Sequence, residues 1–552
     1  MSKKWWKEAV CYQVYPRSFY DANNDGIGDL QGVISKLDYL KWLGIDVIWL
    51  SPMYDSPNDD NGYDIRDYKE IMEEFGSMAD FDQLLDEVHA RGMKLIIDLV
   101  INHTSDEHEW FVESRSSKES EKRDWYIWRD AQADGSEPNN WASIFNGPAW
   151  EWDEKTEQYY MHIFSTKQPD LNWENKEVRD TLYETMNWWM NKGIDGFRVD
   201  AISHIKKLMG YPDLPNETEE TFVESFDGHM NRPGIHDYLQ EMKRETLDQH
   251  DVFTVGEANG VRMENPDDVA AWVGENNGVF NMVFQFEHLG LWGKDAEQKL
   301  DVAAVKEALS KWQYGLEGLG WNALFIENHD QTRAVSSWGN DEEYWNLCAK
   351  ALGTMYFFMK GTPFIYQGQE IGMTNVQFDS IEEYDDVSMR NYYKQESAKG
   401  VPHEEIMQVV WSQGRDNSRT PLQWSTEKNG GFSQADNTWL KVNPNYSEIN
   451  VDSQKADPSS ILSFYRKMIE VRKQYDTLVY GTYQLRDVGV EEVFVYERHG
   501  QDDTFTIAVN LSEEAHRFEH EGNGTIILSN YDEADSQQLK PYEARIYRKT
   551  NS

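Results

Sequence analysis

Cysteine is nearly missing from this chain: among 552 residues there are two, Cys11 and Cys348. Thiols so far apart in sequence make neither a disulfide framework nor a zinc cluster, and free thiols in a reducing cytoplasm are expected. Long apolar runs are missing too. No stretch reaches the roughly 18 apolar residues of a membrane span. The opening MSKKWWKEAVCYQVYP has no apolar core and no small-residue cleavage site, so it is not read as a signal peptide. Positive charge is scarce: 53 Lys and Arg against 98 Asp and Glu give a formal net charge of −45, which disfavours nucleic acid and anionic membranes as partners. There is no Walker loop and no GxGxxG after a strand, so no organic cofactor is expected. A cytoplasmic protein, monomeric or weakly homo-oligomeric, is the expectation.

The composition is that of a globular chain, 39% hydrophobic and 27% charged, and its length calls for two or three domains. The 22 tryptophans suit sugar stacking, although most buried aromatics simply fill cores. Eight short apolar runs recur over the first two thirds: Ala9–Tyr15, Asp46–Leu50, Lys94–Val100, Gly196–Ala201, Val252–Ala258, Val279–Phe286, Asn322–Ile326 and Pro363–Tyr366. Helical patterns such as Phe81–Arg91 and Val178–Lys192 lie between several of them, which argues for parallel strands closed into an α/β (β/α)8 TIM barrel. Residues 1–103 and 172–474 form this barrel in the reading. Residues 104–171, rich in Trp, Tyr, Asp and Asn, make an inserted small domain after the third strand, over the barrel mouth. Residues 475–552, where the pattern alternates with period two, make a C-terminal antiparallel β-sandwich.

Polar residues gather at the ends of these strands. The third ends Asp98-Leu99-Val100-Ile101-Asn102-His103, the fourth carries Arg198 and Asp200, the fifth gives Gly256-Glu257-Ala258-Asn259, and the seventh gives Glu327-Asn328-His329-Asp330. Each alone has a plain structural reading: an ion pair at a strand end, or a satisfied turn. Together, in order, on the face where barrels hold their active sites, they point to chemistry. Three carboxylates and two histidines around one mouth suit glycoside hydrolysis, in which one carboxylate attacks and a protonated one donates to the leaving oxygen. Arg198 and Asp200, two apart on a strand, share a side, so Asp200 is expected to be ionised and nucleophilic. Glu257 has no basic neighbour in its own motif, which suits a raised pKa and the acid/base role. Asp330 would steady the charge of the transition state.

The motifs DLVINH, GFRVDAIS, TVGEANG and ENHDQ resemble the four conserved regions of the α-amylase family of glycoside hydrolases (family 13), and the resemblance covers nearly the whole chain. The stretch Gln168-Pro169-Asp170-Leu171-Asn172 is similar to the tag of its oligo-1,6-glucosidase and α-glucosidase subgroup. The resemblance implies an exo-acting, retaining α-glucosidase with Asp200 as nucleophile, Glu257 as proton donor and Asp330 as stabiliser. It implies a grip on the terminal glucose by Tyr63, Asp64, His103, Gln168, Arg198, His329 and Arg415. In the subgroup, Val after the nucleophile goes with α-1,6 and Ala or Thr with α-1,4 activity. Here it is Ala201, so α-1,4 hydrolysis of maltose and short malto-oligosaccharides is expected. The alternatives are an oligo-1,6-glucosidase or a trehalose-phosphate or sucrose-processing relative. His204 and Asn259 are placed to shape the leaving-group side, or to be plain loop residues.

A second motif follows the first strand. Asp21, Asn23, Asp25 and Asp29 alternate as oxygen donors with Ile27 offering its carbonyl, and Gly26 takes the sixth place, as in the first part of a calcium loop. Gly32 stands where an EF-hand has its bidentate Glu. A structural Ca2+ is therefore expected, against an Asx-rich turn without metal. His103 and His108 lack the i, i+4 spacing of a helical zinc protease. A non-catalytic, amylase-like partner of membrane transporters would have a membrane span and degraded carboxylates, and this sequence shows neither.

Overall fold

The structure, a computed structural model, describes residues 3–291, 300–520, 524–534 and 537–551. Its centre is a ring of eight parallel strands: β1 (Cys11–Val14), β2 (Val47–Leu50), β3 (Lys94–Val100), β4 (Gly196–Asp200), β5 (Phe253–Glu257), β6 (Met282–Phe284), β7 (Ala323–Leu324) and β8 (Thr362–Tyr366). Each pairs in parallel with the next, β8 pairs back onto β1, and a bridge from Val283 to Asn322 closes the last gap between β6 and β7. Strands buried on both faces read as continuous apolar runs, which is why β2 and β3 carry VIWL and LIIDLV with scarcely an exposed position. The intervening helices show the complementary one-sided pattern. In α1 (Met78–Ala90) the buried residues Phe81, Leu84, Leu85 and Val88 form one stripe, and a Ser77–Asp80 capping box starts the helix. α2 (Lys176–Lys192) ends on Gly193 in the left-handed region, the usual glycine stop.

Two runs are shorter as strands than their sequence suggests. β7 has two residues because the Phe325 carbonyl leaves the ladder to accept from His288 Nε2 at 2.8 Å. β6 begins late because the amides of Val279 and Phe280 return to the Trp272 carbonyl.

Residues 104–171 leave β3 and form a three-stranded antiparallel sheet from Trp128–Arg129, Trp150–Asp153 and Gln158–Met161, with its own small core around Trp141, Trp150 and Met161. Bridges from His103 to Asp170 and from Tyr126 to Leu171 return the insert to the barrel mouth. After α3 (Ile461–Gln474), the chain builds a five-stranded antiparallel sheet from β9 (Thr482–Arg486), β10 (Val493–His499), β11 (Asp503–Asn510), β12 (Thr525–Ser529) and β13 (Ala544–Thr550). One face, with Phe494, Tyr496, Phe505 and Ile507, joins the main core, and the other packs Val495 and Ala508 against Phe518 and Leu539. The second layer of the expected sandwich is a two-stranded ribbon, His516–Arg517 with Gln538–Leu539. Among the described residues, no helix is long and apolar enough to cross a membrane.

Candidate active site

Strand register sets the geometry. Val100 pairs with Asp200 and Gly256 with Val199, so Asp200 and Glu257 stand at one height on adjacent strand ends. Arg198, almost fully buried, faces both. Its Nη1 donates to Asp98 at 2.8 Å and to Asp200 at 2.7 Å, and its Nη2 donates to Glu257 at 2.6 Å. The predicted shared side of Arg198 and Asp200 is thus present, but two electrostatic expectations change. Glu257 does have a basic neighbour, because Arg198 reaches it from the next strand. Nor does Arg198 by itself keep Asp200 ionised: it is shared with Asp98 and Glu257, and burial together with the facing Glu257 carboxylate pushes Asp200 well above the usual carboxylate range.

Asp330 behaves differently. Burial opposes its charge, but His329, Arg415 and Arg419 together hold it well below the ordinary range. Arg419 Nη2 lies 2.8 Å and Arg415 Nη1 3.3 Å from Asp330 Oδ1, and His329 Nε2 lies 3.1 Å from Oδ2. Arg415 also reaches Asp60 at 3.1 Å and Asp386 at 2.8 Å. His329 is stacked against Tyr63 with ring centroids 5.0 Å apart, and Tyr63 in turn donates to Asp98.

A cavity of about 210 Å3 is lined by Asp60, Tyr63, His103, Asp200, Ala201, His204, Glu257, Asn259, Asp330 and Arg415, with Ile144, Phe145, Phe164 and Phe226 as apolar walls. Of the expected residues, Arg198, His329 and Gln168 lie behind this surface. Gln168 is fully buried and donates to Asp60 Oδ2 at 3.1 Å, so it supports the pocket from outside. Asp64 requires a correction. It is fully buried away from the cavity and accepts the amides of Asp59 and Asp60, which makes it the cap of its loop. The carboxylate that the loop presents is Asp60. Sequence reading missed it because Asp60 and Asp64 share one acidic loop and only the turn decides which points inward. Arg419 and the four apolar wall residues were missed as well, and nothing in their local sequence singles them out.

Ala201 leaves β4 in the left-handed region, at φ 44°, and its N–H donates to Glu257 Oε2 at 3.0 Å. Its conformation is thus part of the site, and a β-branched residue there would be strained.

In the loop after β1, Asp21 accepts the amides of Asn24 and Gly26, Asn23 that of Asp25, Asp25 that of Ile27, and Asp29 those of Ala22, Asn23 and Gly32. Among the described residues, no group of three or more His, Cys, Asp or Glu side chains is arranged to hold a metal ion. The donors are all oxygen, the right chemistry for Ca2+, but Asp29 Oδ2 already accepts two amides, and Asp21 Oδ2 accepts both the Gly26 amide and Ser433 Oγ.

The alpha-amylase catalytic-domain family model matches residues 13–481. The chain belongs to the α-amylase family of glycoside hydrolases. It is 56% identical to the probable oligo-1,6-glucosidase 3 of Bacillus subtilis (strain 168) over 99% of this chain and 100% of that protein. It is 54% identical to an oligo-1,6-glucosidase of Halalkalibacterium halodurans, over 99% of each. Among solved structures, the isomaltulose synthase of Protaminobacter rubrum superimposes with a TM-score of 0.93 at 42% identity, covering all of both chains.

Proposed function

We propose that this enzyme is an exo-acting, retaining oligo-1,6-glucosidase that releases α-glucose from the non-reducing ends of isomaltose-type oligosaccharides. The α-1,4 preference inferred from Ala201 gives way because it rests on one side chain, whereas the two relatives named above resemble this chain over nearly its full length. The observation that carries the chemistry is the single Arg198 fork holding Asp200 and Glu257 side by side at one height. Adjacent strand ends suit the roughly 5–5.5 Å carboxyl separation of retaining enzymes.

In this reading the pair shares one proton. Arg198 and the Ala201 N–H both donate to Glu257 Oε2, so Oε1 is the oxygen suited to carry the proton to the leaving oxygen. In the reactive arrangement the one proton is on Glu257, which leaves Asp200 ionised; as that proton passes to the leaving oxygen, Asp200 attacks the anomeric carbon, and the glycosidic bond breaks with formation of a glycosyl ester. Water, deprotonated by Glu257, then cleaves the ester and restores the shared proton. Asp330, held ionised, steadies the cationic ring and accepts sugar hydroxyls. A cavity below the roughly 300–1,000 Å3 of drug-sized pockets suits one sugar ring, and the paired Asp60 and Arg415 supply an acceptor and a donor to its hydroxyls.

We also propose a structural Ca2+ held by Asp21, Asn23, Asp25, Asp29 and the Ile27 carbonyl, where it would tie the loop's oxygens together. A cytoplasmic setting and a monomer or weak homo-oligomer belong to the same reading, supported for the former by two free, buried thiols.

Proton NMR of products from equimolar isomaltose and maltose tests it, with Asp200→Asn as control. Early α-glucose mainly from isomaltose is expected. Preferential loss of maltose would restore the reading from Ala201, and activity surviving in Asp200→Asn would overturn the mechanism.

A further inference from the structure

One wall of the cavity is built from neutral histidine rather than from ion pairs, and its hydrogen bonds have a direction. The chain starts at a backbone acceptor. Ser225 Oγ donates to the Ala142 carbonyl at 2.6 Å, which uses its single hydrogen. His229 Nε2 lies 3.0 Å from the same Oγ, so it must be the donor there, and its Nδ1 is left as a lone pair. His204 Nδ1 lies 2.9 Å from His229 Nδ1, so the proton between them sits on His204. His204 Nε2 is then an unprotonated acceptor. It faces the Asn259 amide at 3.5 Å beside Ala201 and Phe226, on the cavity wall.

Burial dominates at both rings, and the one contact that favours charge on His204, with the His229 backbone, is outweighed. Both are buried, and burial moves His204 down to about 3 and His229 well below the ordinary imidazole range, with the neighbouring Lys207 ammonium pushing the same way. Lys207 also donates to the His204 carbonyl at 2.7 Å, which holds the backbone beneath the ring. A buried imidazole with one tautomer enforced by a serine two steps away is costly to build for packing alone. An apolar residue would fill the same space without orphan polar groups.

We propose that His204 accepts a hydroxyl hydrogen from the leaving sugar through Nε2, and that His229, anchored by Ser225, is the positioning residue that fixes His204 in the accepting tautomer. His204 follows the nucleophile strand and Asn259 lies two residues beyond the acid/base, apart from the charged Asp60–Arg415–Asp330 grip. This wall therefore meets the sugar that departs. Asn259 donates where His204 accepts, which makes a complementary pair for one hydroxyl. The inference rests on the proposed glucosidase reading and extends it to the leaving group.

The test compares isomaltose and maltose with p-nitrophenyl α-glucoside, whose leaving group has no hydroxyl to offer, in wild type, His229→Phe and His229→Asn. His229→Phe removes the Nδ1 acceptor, and His229→Asn places an amide oxygen near it. The expected result is a roughly 3- to 12-fold fall in kcat/KM on the preferred disaccharide for His229→Phe, the size of one lost hydrogen bond to a neutral group. The aryl glucoside should stay within about twofold of wild type, and His229→Asn should recover most of the loss. Long-range proton–nitrogen NMR should show His204 as the Nδ1–H tautomer in the wild type. Equal losses on disaccharide and aryl glucoside in both variants, or an Nε2–H His204, would overturn the proposal. A wild type that cleaves the aryl glucoside but neither disaccharide would instead overturn the proposed function.

Discussion

Single residues in this molecule take their roles from what other strands bring to them. Glu257 looks isolated within TVGEANG, yet its carboxylate shares the Arg198 guanidinium with Asp200 and Asp98. The same logic applies to buried imidazoles away from the chemistry. His288, almost fully buried, accepts from Gln285 at Nδ1 and donates from Nε2 to the Phe325 carbonyl, and burial lowers it to about 4. Because its folded pKa lies below the unfolded value of about 6.5, its contribution to stability is intact above that pH. It is lost as pH falls from about 6.5 towards 4, where the unfolded chain takes up the proton first. His288→Gln, which does not titrate, is expected to lose less. The advantage of the wild type over it in urea unfolding should shrink by about 3 kcal/mol between pH 7 and pH 4. A difference independent of pH would mean that His288 is not held neutral by its surroundings.

At the scale of elements, the barrel strands and helices were legible because burial on two faces or on one stripe leaves a clear period in the sequence. Where that period misled, a tertiary hydrogen bond was responsible: β7 stops because the Phe325 carbonyl serves His288. Close approach of two strands is equally invisible locally. Gly196 opens β4 at φ 147°, and a Cβ there would stand 1.8 Å from the Phe253 carbonyl oxygen of β5. Gly196→Ala must therefore push apart the two strands that carry Asp200 and Glu257. It should cost about 3 kcal/mol or more, seen as a lowered urea midpoint, and activity should fall further than stability alone requires. An Ala variant with wild-type stability and activity would show that the β4–β5 spacing is not critical.

For the whole molecule, the loop after β1 joins distant parts of the chain. Asp21 accepts from Ser433, its own amide donates to the Phe432 carbonyl, and the Gly26 carbonyl accepts from Trp439. If the proposed Ca2+ binds here, chelation should lower the melting temperature by several degrees while leaving kcat at low temperature nearly unchanged, and added Ca2+ should reverse it. A melting temperature unmoved by chelation and by Ca2+ would leave the Asx turns alone as the reason for this sequence.

The sequence by itself determined the barrel, the insertion after the third strand, the changed pattern near residue 475 and the three acids, since periodic burial and ordered strand-end motifs are local properties. It also carried the family, through four motifs in order. Only the tertiary structure decided that Asp60 rather than Asp64 enters the cavity, and that Arg198 serves both members of the acid pair. It alone set Arg419 against Asp330 and gave the His204–Ser225 chain its direction. These depend on which side chains from separate strands and loops arrive at one buried point, where low dielectric and a limited number of hydrogen-bond partners fix charge and tautomer.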